Sequence, residues 1–269
     1  MSKKLIPVFA LLAGSAAFLS FTSCAHQQAN VPQTQEERLA EADGLSARGK
    51  CGQAVALYEK LLSEFPKPEI AEQAKFRLGK CRMDVGAYEL AITEFRDFVD
   101  TYPKSDLVDN AAFLAALCYL KETPRIERDQ TKTTEALSEL TLLLRKYPNT
   151  DVKADVEAAI KEARSRLAEK EYMNGQLYFN LGDYESARVY YDYVTADYGD
   201  TEWAPRAMLG KAQAFERQGK PADARGVYEQ IAKDYPSSDS GRQATRRLKE
   251  LGGTSEVQTG SDSGTSPGQ

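Results

Sequence analysis

The side chains that could do chemistry are few and poorly matched. The sequence holds a single histidine, His26, so Ser/His/Asp, Cys/His and multi-histidine zinc arrangements lack their parts. Arg128, Asp129 and Gln130 place a cation, a carboxylate and an amide in succession. With no histidine and no apolar pocket implied around them, they are expected to fasten an inserted turn by hydrogen bonds and an ion pair. The stretch Gly44-Leu45-Ser46-Ala47-Arg48-Gly49-Lys50-Cys51 nearly spells a phosphate-binding loop. Such a loop needs a Ser or Thr hydroxyl for Mg²⁺ after the lysine and a strand ahead of it. Cys51 takes the hydroxyl's place and no strand is predicted, so the match is a coincidence. No catalytic residue, metal set or cofactor is expected.

The 35 Lys and Arg residues are interleaved with 40 Asp and Glu, for a formal charge of −5. A phosphate backbone draws on clustered cations, so nucleic acid is not an expected partner. Ahead of the body, Lys3 and Lys4 precede Leu5 to Phe21, a run without a charge, which is the pattern of a secretory signal. Phe21-Thr22-Ser23-Cys24 resembles the bacterial lipobox, in which a hydrophobic and two small residues precede a cysteine that is diacylated before cleavage. Phe21 stands where Leu or Val is usual. On that resemblance residues 1–23 are a lipoprotein signal, Cys24 is the lipidated N-terminus and 24–35 form a flexible linker. An uncleaved anchor or a cut after Ala25 are the alternatives. More than one acyl chain makes a stable anchor for an otherwise soluble body. Ala25, where enteric bacteria place Asp for inner-membrane retention, points to the periplasmic face of the outer membrane.

The body is periodic. Phe65-Pro66-Lys67-Pro68-Glu69, Tyr102-Pro103-Lys104-Ser105-Asp106, Tyr147-Pro148-Asn149-Thr150-Asp151, Tyr198-Gly199-Asp200-Thr201-Glu202 and Tyr235-Pro236-Ser237-Ser238-Asp239 share one order: aromatic, helix breaker, any residue, turn or cap residue, acid. Proline stops the preceding helix, a hydroxyl can satisfy orphan amides of the next, and the acid complements its positive end. The steps between stops are 37, 45, 51 and 37 residues, near the two-helix unit of the tetratricopeptide repeat. Small residues at Ala42/Ala54, Gly79/Ala91, Gly175/Ala187 and Ala212/Ala224 keep a separation of 12, as two closely approaching helices require. Turn glycines Gly49, Gly86, Gly182 and Gly219 lie between them. The third pair, Ala116/Ala136, is 20 apart, which puts an insertion in its turn. Val152 to Leu181 predicts one long helix, and Gly241 to Leu251 a last one covering the open end. The fold class is therefore all-α, an α-α superhelix of about five tetratricopeptide repeats over 36–251. Residues 252–269, with Val257 the one aliphatic side chain, predict a disordered tail.

Three segments carry a closer match: Ile126-Glu127-Arg128-Asp129-Gln130-Thr131 leading into Ala136, Arg166-Leu167-Ala168-Glu169-Lys170-Glu171 leading into Tyr178, and Gly182-Asp183-Tyr184 leading into Ala187. With them, the stretch from Arg38 to Leu251 resembles the BamD family of outer membrane protein assembly factors. The resemblance implies a non-catalytic lipoprotein scaffold of the β-barrel assembly machinery. Such a scaffold docks on the POTRA domains of the barrel subunit BamA, joins other lipoproteins of that machinery and engages unfolded outer-membrane proteins. Two positions depart from the family pattern: Tyr190 stands where arginine is usual, and Gly199 replaces a proline. The contact with BamA is expected to differ accordingly. The alternative is a repeat lipoprotein of the envelope that coordinates peptidoglycan or cell-division enzymes.

Projecting the repeat places Phe76, Lys80, Met83, Phe113, Leu117 and Lys121 on the concave side, a lining suited to an extended, alternately apolar segment. The competing reading is that Phe76, Phe113 and Leu117 pack against the next repeat. Seven of the 14 tyrosines fall between Tyr172 and Tyr198. Tyr178, Tyr184, Tyr191 and Tyr198 occupy packing positions, which leaves Tyr172, Tyr190 and Tyr193, with Trp203, as an expected partner interface; scattered surface side chains are the plainer alternative. With Cys24 lipidated, Cys51, Cys81 and Cys118 remain, an odd number that cannot all pair. A disulfide, if formed, is expected between Cys51 and Cys81, against buried free thiols.

Overall fold

The computed structural model describes residues 33–64, 66–123, 125–126 and 128–258, the last six by backbone alone. The signal segment, Cys24, most of the linker and residues 259–269 lie outside the described residues. The chain divides into Met1–Thr34 and Gln35–Gln269, and the architecture below is that of the second unit.

The punctuation acts locally as its chemistry dictates. The amides of Tyr102, Tyr147, Tyr198 and Tyr235 each close a helix, on the carbonyls of Phe98, Leu143, Val194 and Ile231 at 2.7–3.0 Å. The breaker that follows cannot continue the ladder. Then the hydroxyls of Ser105, Thr150 and Thr201 accept from the amides of Leu107, Val152 and Trp203 at 3.1, 3.3 and 3.4 Å, and that of Ser238 from Gly241 at 2.9 Å. The hydroxyl thus satisfies the entry to each next helix, from just ahead of the cap position at Ser105, Thr150 and Thr201 and from the cap position itself at Ser238.

Eleven helices result among the described residues, and no strand: α1 Gln35–Ala47, α2 Cys51–Ser63, α3 Pro68–Asp84, α4 Tyr88–Thr101, α5 Val108–Glu122, α6 Thr131–Lys146, α7 Lys153–Asn180, α8 Tyr184–Asp197, α9 Trp203–Arg217, α10 Pro221–Asp234 and α11 Asp239–Gln258. They form five hairpins and a covering helix. Within α1/α2, α3/α4, α7/α8 and α9/α10 the turn glycines adopt φ of 70° to 81°, a left-handed conformation that other residues reach only under strain. Each odd helix also packs on the next odd helix, from α1 through α11. The odd helices therefore make one continuous layer, and the even helices lie outside it.

One side-chain pattern holds each hairpin together. In the even helices a small residue is followed four and seven positions later by large apolar ones: Ala54/Tyr58/Leu61, Ala91/Phe95/Phe98, Ala136/Leu140/Leu143, Ala187/Tyr191/Val194 and Ala224/Tyr228/Ile231, all buried. This spacing is a single helical face. The large ring sits on a small residue of the odd helix. A Cβ added at Gly79 would come within 2.7 Å of Phe95, and one at Gly175 or Gly210 within 2.6 Å of Tyr191.

The core is segmented, and α7 ties its segments together. At 28 residues it is about 42 Å long. Val156, Ala159 and Ala163 close the core of the second and third hairpins, whereas Ala168 belongs to the core of the fourth with Tyr191 and Ala207. The insertion in the third hairpin occupies 123–130, between α5 and α6. At the far end α11 runs to Gln258, past the Gly252-Gly253 pair where the sequence predicts a tail. Each helical glycine costs only about 1 kcal/mol, too little to terminate a helix by itself.

Candidate functional site

The third and fourth hairpins meet at the inserted turn. Gln130 is its buried pin: Nε2 donates to the carbonyls of Arg125 and Arg128 at 3.2 and 3.4 Å, and Oε1 accepts from Thr133 Oγ1 at 2.9 Å. Asp129 accepts from the Thr131 amide at 2.6 Å and from the Thr131 hydroxyl. Those bonds hold its carboxyl below the usual carboxylate range, with a smaller contribution from the Lys170 charge. The turn is fastened by hydrogen bonds as expected, but not by an ion pair within the motif. Among the described residues Arg128 and Asp129 do not pair, because Asp129 turns back to the first amide of α6.

Opposite this turn stand Lys170 and Glu171 of α7 and the rings of Tyr193 and Tyr198. Together with Arg128 and Asp129 they line a groove of about 620 Å³. Tyr193 is 46% exposed and meets Tyr198 edge-on, with centroids 5.9 Å apart. Tyr198 is held from behind by Arg164, whose guanidinium lies 5.5 Å from its ring centroid and donates to Asp200 at 3.0 Å and to the Asp197 carbonyl at 2.7 Å. Burial, and then the neighbouring Tyr193 phenol, push the Tyr198 phenol up. The groove offers a fixed aromatic wall, a cation on each side and several hydrogen-bonding groups. That combination suits recognition of a polypeptide surface. Among the described residues no group of three His, Cys, Asp or Glu is placed to hold a metal.

The structure divides the expected interface residues. Tyr193 opens onto the groove. Tyr190 turns away from it and stacks on Tyr178, centroids 5.2 Å apart and planes 13° from parallel; the shared hydrogen bond raises its phenol. Tyr172 and Trp203, expected to face a partner, are half-buried and pack on each other. Their centroids are 5.2 Å apart, Tyr172 also meets Tyr191 at 5.9 Å, and Gln176 Nε2 donates to both phenols at 3.1 and 2.9 Å. The reason is that this part of α7 is the first helix of the fourth hairpin, and its inner face meets α9.

On the odd-helix layer, Lys80 and Lys121 are exposed, whereas Phe76, Met83, Phe113 and Leu117 are half-buried against the core. Phe76 meets Phe98 at 5.6 Å and Phe95 at 6.0 Å. The apolar four therefore pack between repeats while leaving an edge outward. Leu167, Lys170, Glu171 and Tyr198 were not singled out from the sequence as lining residues, although three of them stand in a segment that carries the BamD resemblance and Tyr198 is one of the helix stops. What the sequence could not give was their convergence with the inserted turn across α7.

Residues 33–229, from α1 into α10, match the YfiO family, described as outer membrane lipoprotein. A protein of Caulobacter vibrioides named outer membrane protein assembly factor BamD is 26% identical over 239 residues, covering 87% of this chain and 78% of that protein. The protein of the same name from Neisseria meningitidis serogroup A is 23% identical over 248 residues, covering 88% and 93%. Among solved structures, a thermophilic TPR protein of Thermus thermophilus is similar at 19% identity, covering 81% of this chain and 98% of that one, with a TM-score of 0.35. Because the family match takes in well over half of the sequence and nearly the whole repeat array, the chain belongs to the YfiO family of outer membrane lipoproteins.

Proposed function

We propose that this protein is a non-catalytic scaffold of outer-membrane β-barrel assembly, tethered by lipid at Cys24 to the periplasmic face of the outer membrane. It brings a POTRA-bearing barrel subunit of the BamA kind, and other lipoproteins of that machinery, together with unfolded outer-membrane proteins. The observation that carries this reading is the family match over 33–229, joined by relatives named as assembly factors. The architecture supports it: a stack of helix hairpins exposes a long surface to other macromolecules. In this reading the groove between Arg128, Lys170 and Tyr193 receives a folded partner domain. The odd-helix layer around Lys80 and Lys121 receives extended segments.

Depletion of the protein tests the role. Folded β-barrel proteins are expected to fall in the outer membrane while cell-wall enzymes keep their levels and positions. Unchanged barrels with displaced peptidoglycan or division enzymes would contradict it. The anchor has its own test: labelled palmitate is expected to enter the protein and not its Cys24→Ser variant, and equal labelling of the two, or none of either, would contradict lipidation at Cys24.

A further inference from the structure

Cys51 opens α2 and Cys81 lies in the last turns of α3, so the two belong to different repeats. Their sulfurs are 2.8 Å apart, and both residues are buried, at 5% and 0% exposure. A disulfide bond is about 2.05 Å long, so closing this gap needs a shift of less than about 1 Å. Ser46, at the end of α1, completes the junction: its Oγ lies 3.3 Å from the Cys81 sulfur and 3.7 Å from that of Cys51. Three helices of the first two hairpins thus meet at one pair of thiols. Cys118 takes the position equivalent to Cys81 one repeat later but is buried in the next core segment.

We propose that Cys51 and Cys81 form a disulfide in the mature protein and staple the α1/α2 hairpin to the α3/α4 hairpin. The staple rests on the periplasmic location proposed above, since disulfides persist in oxidising compartments. The reaction is thiol–disulfide exchange with a disulfide donor, either a low-molecular-weight disulfide or an oxidised dithiol oxidoreductase. One cysteine thiolate attacks the donor and expels a donor thiolate, giving a mixed disulfide. The second cysteine thiolate attacks the protein sulfur of that bond and expels the other. Two S–H bonds are lost from the protein and one S–S bond is formed, with two electrons and two protons passing to the donor. Burial pushes the Cys81 thiol up to about 12, which leaves little thiolate once α2 has closed on α3. The exchange therefore takes place during folding, or when the terminal hairpin opens. Among the described residues that hairpin packs on one other hairpin alone, so it opens most readily.

The test uses the full chain in detergent, first reduced, then equilibrated with oxidised and reduced glutathione and quenched with N-ethylmaleimide in denaturant, so that every free thiol is reached. Tryptic digestion without reductant is expected to yield the peptide from Cys51 to Lys60 joined to Cys81-Arg82, lighter by two hydrogens than the separate peptides, with Cys118 recovered as the maleimide adduct. The oxidised protein should unfold about 5–10 °C above the reduced one, and Cys51→Ala should abolish that sensitivity to reductant. Maleimide on both Cys51 and Cys81, or a link through Cys118, would overturn the staple. The same digest of protein quenched in cells separates the two proposals: a pair that links in glutathione but is free in cells keeps its chemistry and contradicts the compartment.

Discussion

Tyr172 and Tyr193 are one residue type on neighbouring helices with opposite roles. Tyr172 fills the seam between α7 and α9 beside Trp203 and Tyr191, whereas Tyr193 presents its ring to the groove. Tyr172→Ala should therefore lower unfolding stability by about 2–4 kcal/mol, and Tyr193→Ala by less than about 1 kcal/mol, in urea titrations. Partner binding should show the reverse order, with Tyr193→Ala the more damaging in cross-linking to a POTRA-bearing protein. The excess of tyrosine was plain in the sequence, but not its division. Which tyrosines face inward depends on how α7 is rotated against α9, and no local pattern states that. The odd-helix layer teaches the same lesson. Phe76→Ala would disturb Phe95 and Phe98 as well as any bound segment, so loss of binding there reports packing. Lys80→Glu with Lys121→Glu changes exposed charges alone. That double variant should weaken cross-linking to a nascent outer-membrane protein severalfold while leaving the thermal midpoint within about 2 °C.

At the scale of elements, the design repeats a large ring seated on a small residue. Tyr191 is held between Gly175 and Gly210, each without room for a methyl group. Gly175→Ala is expected to cost about 1–3 kcal/mol through overpacking, visible as a lowered thermal midpoint, although alanine favours the helix intrinsically. The long helix is the second element to test. Ala163→Pro, at the last α7 residue in the core of the second and third hairpins and five positions before Ala168 of the next core segment, should cost about 3 kcal/mol or more and split thermal unfolding into two transitions. The Arg164–Asp200 clamp adds a pH signature. Arg164 holds the Asp200 carboxyl below its ordinary value, so the clamp stabilises the fold above the ordinary carboxylate pKa and loses that contribution as pH falls through the lowered one. Asp200→Asn should flatten the midpoint-against-pH curve on the acid side. The elements were the most legible level of this sequence. The aromatic-breaker-acid stops, the turn glycines and the uninterrupted run before Leu181 located each hairpin and placed α7 to within a residue at either end. These signals act through the backbone of a few adjacent residues. The end of α11 did not follow, since paired glycines weaken a helix without stopping it.

From α1 to α11 the described helices form a one-dimensional stack in which each hairpin touches its neighbours and α7 joins two core segments. Such a stack has surface in excess of what its core needs, and recognition is the chemistry it offers. The groove became visible at this scale alone: Arg128 and Tyr193 are 65 positions apart in sequence and meet because α7 spans two core segments. The most direct test of the account is to recover the protein, through a C-terminal tag, from detergent-solubilised envelopes and identify by mass spectrometry what stays bound. A POTRA-bearing barrel protein should dominate the recovered material, and Tyr193→Ala should reduce it. Recovery of cell-wall enzymes in its place, or of the protein alone, would contradict a scaffold of β-barrel assembly.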